Sequence, residues 1–513
     1  MNHKQDNKRK AIIVILCLSV FRLVLSTFFE LGNDESYYWV YSQYLQWNYF
    51  DHPPVVAIWI RLFTLNLLLQ DHTLFLRLGS VFSCAMASWF MYKTVCLLKD
   101  EKAGLISVVL FNASFYSGLT AGLLIMPDSP QIIFWTLCLW MITEISNDEN
   151  NIKWWIIFGI SAGLCIMSKV HGVYIWVGLG LSILIFNKHL FKNRGLYVAL
   201  ILTMIIVSPI LIWNIQNNFV TYRFHSERIM IHGYLFNLKN FFKEAFLEFL
   251  VNNPINVILI ISIFIWRRIS KPVDNPVLKT FNLIGFSLIL VVLFLSLFRD
   301  TRPIWSGPGY VTLIPITSCA ISYYNSNVLK SLVKISLLVF IVATISILIF
   351  INEFPGTYGS KNEKVYGTSD ISLDMYGWKE AGQKFQDFVY KENLKDSLKK
   401  SPMICNNWWG AHEEYYFCRP LQIKMIGLGS VMDLHEYNWT NEKREPIVDM
   451  TTALCIIHSD ENYNALDIYK DYYDRVDTIG SIPIVRNTLL SHTFYILKLS
   501  GWKHNFPLGL RNR

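Results

Sequence analysis

Charge is what this sequence has least of. Only 16% of its 513 residues are Asp, Glu, Lys or Arg, against roughly 25% in an average soluble protein, while 53% are hydrophobic. Such a composition excludes a disordered chain, which needs the opposite balance. The 46 basic and 38 acidic residues leave an excess of +8, too thinly spread to build the dense basic face that nucleic acid requires. No nucleic-acid partner is expected. The sequence also lacks a Cys/His cluster with zinc spacing, a repeat of fixed period and a low-complexity tract, which argues against a zinc module, a solenoid and an obviously duplicated transporter. No A-x-A-like cleavage site follows the first apolar run, so that run is read as a retained anchor.

What the chain has in abundance is apolar runs of about 20 residues, the length that crosses roughly 30 Å of hydrocarbon. They fall at roughly 11–29, 73–98, 103–121, 130–145, 153–168, 171–187, 195–213, 246–266, 278–298, 304–324 and 331–351. The expected class is an α-helical polytopic membrane protein with about eleven transmembrane helices plus interfacial helices. Lys4, Lys8, Arg9 and Lys10 precede the first run, so the positive-inside rule puts the N-terminus in the cytoplasm, and an odd count puts the C-terminus outside. Loops assigned to the cytoplasm carry Lys99 and Lys102, Lys153, then Lys188, Lys192 and Arg194, then Arg267, Arg268 and Lys271, then Lys330 and Lys334, which fits that orientation.

Two regions depart from simple spans. Residues 30–72 form a long outer loop whose aromatic content and short apolar stretch suggest helices lying in the interface. From about residue 352 hydropathy falls and helix-like and strand-like pieces alternate: GWKEAGQKFQDFVYKENLK, AHEEYYFC and ALDIYKDYYDRV read as helices, and PMICN, QIKMIGL, ALCIIHS and TFYILKLS as strands. The expected organisation is a transmembrane domain over 1–351 and a C-terminal extramembrane α/β domain over 352–513. Cys405, Cys418 and Cys455 lie in the latter, where an odd number leaves any pairing open.

The informative pattern is one of sidedness. On this topology Asp34 and Glu35, Asp51 and His52, Asp128, Lys169 and His171, Arg223 and His225, then Arg299, Asp300 and Arg302 all emerge on the outer side. Ionisable groups at membrane depth are costly and are kept for function or pairing, so acids and bases from six segments suggest one outward-facing polar cavity; scattered headgroup-level charge is the plainer alternative. Asp34, in NDESYYW, could deprotonate a nucleophile or, with Glu35, hold a divalent metal, and helix capping accounts for Asn33-Asp34 equally well. Asp128, in MPDSPQIIFW, carries the same ambiguity. Lys169, in SKVHG, either snorkels to headgroups or binds a lipid phosphate. Arg299 and Arg302, in RDTRPIWSGPGY, suit bidentate phosphate contacts, with Asp300 able to neutralise one of them. Arg223 and His225 equally suit an interfacial amphipathic helix.

NDESYYWVYSQYLQWNYFDHPPVVAIWIRL, LIMPDSPQIIFW, SKVHGVYIWVGLGL, PILIWNIQNNFVTYRFH and RPIWSGPGY, in that order over roughly 11–324, together resemble the GT-C superfamily of membrane glycosyltransferases. The nearest group is glycosyltransferase family 39, the dolichyl-phosphate-mannose protein mannosyltransferase-like set that includes bacterial aminoarabinose lipid A transferases. The resemblance implies an inverting transfer of a sugar from a polyprenyl-phosphate donor substrate to an acceptor at the outer face. It implies that Asp34 is the general base, that Asp128 orients the acceptor or that base, and that Lys169 and Arg302, with Arg299, hold the donor phosphate. Glu35, Asp51, His52 and His171 are further substrate-binding candidates. Relatives often carry His or Asn before the tryptophan of the late outer turn, where this chain has Ile304.

The implied partners are the lipid-linked sugar donor, a lipid, glycan or protein acceptor, and membrane lipids, in a bacterial inner membrane. No metal ligand set is assigned, although metal use varies across the fold and a divalent ion at Asp34 and Glu35 stays open. Two rival readings stand beside the glycosyltransferase one. A carrier of lipid-linked sugars predicts charges at mid-span and broken helices in matching halves, and a non-catalytic scaffold with a glycan-binding outer domain predicts no use for Asp34 and Asp128.

Overall fold

Short polar caps turn the apolar runs into discrete helices. The side chains of Asp100, Asn151, Asn193, Asn237 and Asn275 each accept a backbone N–H one to three residues into the helix that follows, satisfying donors that a helix start leaves unpaired. The computed structural model describes residues 2–230, 236–267, 275–394, 398, 401–444, 450–461 and 465–504; Arg268 and Lys271 of the expected basic loop lie outside them. The chain divides into two compact units, one of Met1–Ser26 with Gln46–Thr344 and one of Thr27–Leu45 with Ile345–Arg513.

The first unit is helical. Among the described residues, four helices are long and apolar enough to cross a membrane, Thr73–Leu98, Arg194–Gln216, Pro276–Ser296 and Asn327–Glu353. Some other expected spans correspond to shorter helices, such as Ile152–Ser168 and Val173–Ile185. The run expected at 246–266 is two helices, Leu238–Val251 and Pro254–Arg267, bent by 103°. The cause is in the sequence between them. Asn253 takes a left-handed φ of 65°, and Pro254 starts a new helix because its missing N–H is no loss at a first turn. Asn253 Nδ2 then donates to the carbonyls of Ala113 and Ser336 at 2.8 and 3.0 Å, so the break is held by neighbouring helices.

Small residues bring the helices close. A Cβ on Gly285 would lie 2.9 Å from the Gly309 carbonyl oxygen, and one on Gly309 would lie 2.8 Å from that of Gly285, so Pro276–Ser296 and Gly307–Tyr324 touch backbone to backbone. Segment 46–72 contributes Val55–Phe63, whose 9 residues are too few to span a bilayer.

The second unit is built on a five-stranded sheet. Its strands are β1 Met403–Cys405, β2 Met425–Gly427, β3 Thr452–His458, β4 Tyr473–Arg486 and β5 Leu489–Trp502, in the order β2-β1-β3-β5-β4. β1 pairs parallel with β2 and β3, and β5 pairs antiparallel with β3 and β4. Helix Trp378–Lys391 and the helical turns of 410–421 occupy the positions expected of them. The stretch ALDIYKDYYDRV does not stay helical: helix stops at Tyr469 and β4 starts at Tyr473. Pairing along the whole of β5 outweighs the helical pattern. A two-residue turn with positive φ at Asn487 and Thr488 closes this hairpin, matching the right-handed twist of its strands. Ile404, Cys455, Ile457, Leu497 and Leu499 form its core. Cys405, Cys418 and Cys455 are buried thiols in no disulfide among the described residues.

The same unit holds Asn33–Gln43, an 11-residue helix. Buried Arg486 donates to the carbonyls of Ile351 and Gly356 at 2.9 and 2.8 Å and to Asp370 at 3.0 Å, which ties the 351–370 segment to the end of β4.

Candidate active site

In the helical unit, Asp128 opens helix Asp128–Asn147 and is fully buried. Lys169 ends helix Ile152–Ser168 with extended backbone and is 4% exposed. Its Nζ lies 2.7 and 2.9 Å from the two carboxylate oxygens of Asp128. Tyr116, in a single wide turn at 116–120, donates its hydroxyl to Asp128 Oδ1 at 2.9 Å. Gln131 Nε2 donates to the Lys169 carbonyl at 3.1 Å, one turn along the helix that Asp128 starts. Two of the three ammonium protons are thus directed at Asp128, leaving one for a further acceptor.

Loop and helix residues close around this pair. His225 Nε2 donates to the Asp51 carbonyl at 2.9 Å, joining the 46–54 loop to helix Val220–Ile229. Burial first, then Lys169 and His225, hold the His52 imidazole down to about 4 against the opposing charges of Asp51 and Asp128, so it is neutral at physiological pH. His171 packs its ring 5.9 Å from that of Trp305, within electrostatic reach of Lys169, His52 and His225. Its buried Nδ1 has no hydrogen-bond partner among the described residues.

A second polar group lies on helix Leu238–Val251. Glu244 and Glu248 are 3% and 0% exposed, and the Tyr310 hydroxyl donates to Glu248 Oε2 at 3.1 Å. Arg302 is exposed and acts electrostatically on Glu244, while Arg299 Nη1 donates to the Glu227 carbonyl at 2.8 Å. Tyr310 also borders an apolar cavity of about 590 Å³ between Pro254–Arg267, Pro276–Ser296 and Gly307–Tyr324, walled by residues such as Phe264, Phe286 and Ile289.

Asp34 and Glu35 belong to the other unit. Asp34 is exposed in the first turn of Asn33–Gln43. Glu35 is 1% exposed and turns back to accept the Gly32 N–H at 3.0 Å, the return arm of a helix-start cap. Asp374 Oδ1 accepts the Asn33 N–H at 3.1 Å. Burial, with Asp34 and Glu35 close by, raises the Asp374 carboxyl to about 7.

The structure therefore holds Asp51, His52, Asp128, Lys169 and His171 in one unit, with Arg302 near Glu244 and Arg299 on the Glu227 carbonyl there, and Asp34 and Glu35 in the other. Tyr116, Glu244, Glu248, Tyr310 and Asp374 were not picked out from the sequence. A signal existed for two of them: in FFKEAFLEFLV the only acids stand four apart, one helical face, in an apolar run. Among the described residues no group of three or more His, Cys, Asp or Glu is arranged to hold a metal ion.

The family described as dolichyl-phosphate-mannose-protein mannosyltransferase matches residues 51–213. The lipid A galacturonosyltransferase RgtD of Rhizobium johnstonii is 21% identical over 224 residues, 43% of this chain and 46% of that protein; the match thus spans about half the length of the curated relative. The crystal structure of ArnT from Cupriavidus metallidurans bound to undecaprenyl phosphate superposes with a TM-score of 0.58 at 12% identity, covering 94% of this chain and 97% of that one. The archaeal oligosaccharyltransferase AglB from Archaeoglobus fulgidus, in complex with an inhibitory peptide and a dolichol phosphate, gives 0.50 at 10% identity over 88% and 69% of the two chains. The chain shares its fold with ArnT and, over less of its length, with AglB, and it is a membrane protein.

Proposed function

We propose that this GT-C protein is an inverting glycosyltransferase of a bacterial inner membrane, moving a sugar from a polyprenyl-phosphate donor to a lipid, glycan or protein acceptor at the outer face. The observation that carries it is the buried Asp128–Lys169–Tyr116 cluster, flanked by His52 and His171, within the segment that matches the mannosyltransferase family. The membrane part, 1–351, crosses about eleven times with a cytoplasmic N-terminus, and the remainder, 352–513, lies outside.

In this mechanism Asp34 takes the proton of an acceptor hydroxyl. The freed oxygen attacks the anomeric carbon, the bond from that carbon to the phosphate oxygen breaks, and polyprenyl phosphate leaves with its electron pair. The leaving group gains negative charge, so it needs cations where that charge develops. Lys169 supplies its remaining N–H, held in place by Asp128, and Arg302 and Arg299 supply guanidinium donors suited to phosphate. The neutral His52 contributes hydrogen bonding without adding charge. The apolar cavity beside Tyr310 suits an isoprenoid tail, which only needs dispersion contact and exclusion of water.

The test is transfer of labelled sugar from a panel of polyprenyl-phosphate sugars in membranes expressing the wild type or Asp34→Asn, with both folded by size-exclusion in detergent. A fall of about a hundredfold or more supports Asp34 as base. Equal rates would remove Asp34 from the mechanism, and no transfer from any donor would sink the enzyme reading.

A further inference from the structure

A cavity of about 210 Å³ opens in the C-terminal unit, walled by residues that include Asn33, Asp374, Trp409, His412 and Asp460. It lies well below the roughly 300 Å³ at which drug-sized sites begin, so it has room for one small ring. Its wall is chemically mixed. The Trp409 side chain is 45% exposed, presenting a flat apolar face. Asn33 Oδ1 is buried without a hydrogen-bond partner among the described residues, a state that costs free energy until a donor arrives.

The other polar groups have definite engagements. Asp460 is committed to His458 at 2.7 Å, and the His412 ring stacks on Trp378 with centroids 4.1 Å apart while its Nε2 donates to the Leu31 carbonyl. The Asp374 carboxyl meets the Asn33 N–H through Oδ1, and Gly32 leaves room for Oδ2, which a Cβ there would approach to 2.8 Å. Among the described residues no Lys or Arg borders the cavity, and of its acids Asp370 is paired with Arg486 at 3.0 Å and Asp460 with the lining His458 at 2.7 Å, which leaves Asp374 as the lining acid without a salt bridge. Such a lining accepts hydroxyl and ammonium donors and offers a carboxylate or phosphate no uncommitted cation among the described residues.

We infer that this cavity is a subsite for the acceptor and takes a neutral or amino-bearing pyranose, its apolar face on Trp409 and its hydroxyls on Asn33 and Asp374. The assignment rests on the glycosyltransferase reading only for the word acceptor. It explains why the cavity is walled by Asn33, the residue before Asp34: a sugar seated there brings a neighbouring hydroxyl beside the base. It also narrows the acceptor, since a terminal uronic acid or phosphorylated sugar is disfavoured.

Saturation-transfer NMR on the full-length protein in nanodiscs tests this directly, with methyl glucopyranoside, methyl glucosaminide and methyl glucuronide as probes. The first two are expected to give transfer signals and the glucuronide little or none. Trp409→Ala is expected to weaken binding about fivefold or more, in keeping with the usual value of an aromatic face, and Trp409→Tyr to restore most of it; Asn33→Ala removes the unpaired acceptor and also weakens binding. Thermal unfolding checks that each variant is folded. Equal binding of the glucuronide, no effect of Trp409→Ala in folded protein, or no binding of any probe overturns the subsite. Because no donor is present, these results are independent of whether sugar transfer from polyprenyl phosphate succeeds, so the two proposals fail separately.

Discussion

Lys169 and Asp128, 41 residues apart in sequence, meet through two contacts of 2.7 and 2.9 Å with side chains only 5% and 1% exposed. A pair so dry is held by mutual dependence. Each charge is tolerated only because the other is there, since the cost of desolvating either alone is several kcal/mol.

Removing one partner should therefore be worse than removing both. Lys169→Met is expected to destabilise the protein by about 3–5 kcal/mol by stranding a buried carboxylate. Asp128→Leu combined with Lys169→Met should recover much of that loss while remaining inactive in sugar transfer. Thermal unfolding in detergent and the transfer assay read the two effects; a double variant less stable than both singles would refute the dependence.

Tyr310 bridges the buried Glu248 and the apolar cavity. Tyr310→Phe keeps the ring and removes the hydroxyl that donates to Glu248 Oε2, so a loss of about 1–3 kcal/mol is expected. A melting temperature unchanged from wild type would show that Glu248 is satisfied some other way.

Asp374 carries a pH signature. Its carboxyl is raised from 3.8 to about 7, chiefly by burial, so the folded state holds a proton that the unfolded chain releases earlier. The stability this contributes is fully present below about pH 4, declines as pH rises, and is gone above about 7. Asp374→Asn keeps an oxygen for the Asn33 N–H and removes the titration. Its stability relative to wild type should rise between pH 4 and 7 and then level off, as measured by denaturant unfolding across that range. A difference independent of pH would contradict the burial.

The β4–β5 hairpin turns on Asn487 and Thr488 at φ of 45° and 70°. Threonine is branched at Cβ and poorly suited to that region, where glycine is at home. Thr488→Gly should stabilise the C-terminal unit by about 0.5–1 kcal/mol, visible as a higher unfolding midpoint; a lower one would mean that Thr488 makes a contact worth more than its strain.

Much of the helical architecture could be read from hydropathy because a bilayer imposes a length on apolar helices that leaves a mark in one dimension. The break at Asn252–Asn253 was less legible, since two polar residues inside a run of about 20 leave it apolar as a whole. In the C-terminal unit β1, β2, β3 and β5 followed their apolar runs, and β4 did not. DYYDRVDTIGSIPIVR alternates weakly and gains its strand state from a partner that only the fold supplies. The candidate polar residues were visible as types at span ends, but their grouping was not.

The sequence by itself determined that this is a membrane protein, roughly where its apolar helices lie, and which acids and bases at span ends are too costly to be idle, because hydration energy acts on residues one at a time. Only the tertiary structure decided that Lys169 is committed to Asp128, that Glu248 answers to Tyr310, and that Asp374 reaches the Asn33 backbone across 341 positions. Charges and hydrogen bonds act over a few ångströms of space, and no local pattern in the chain records which distant residues will come that close.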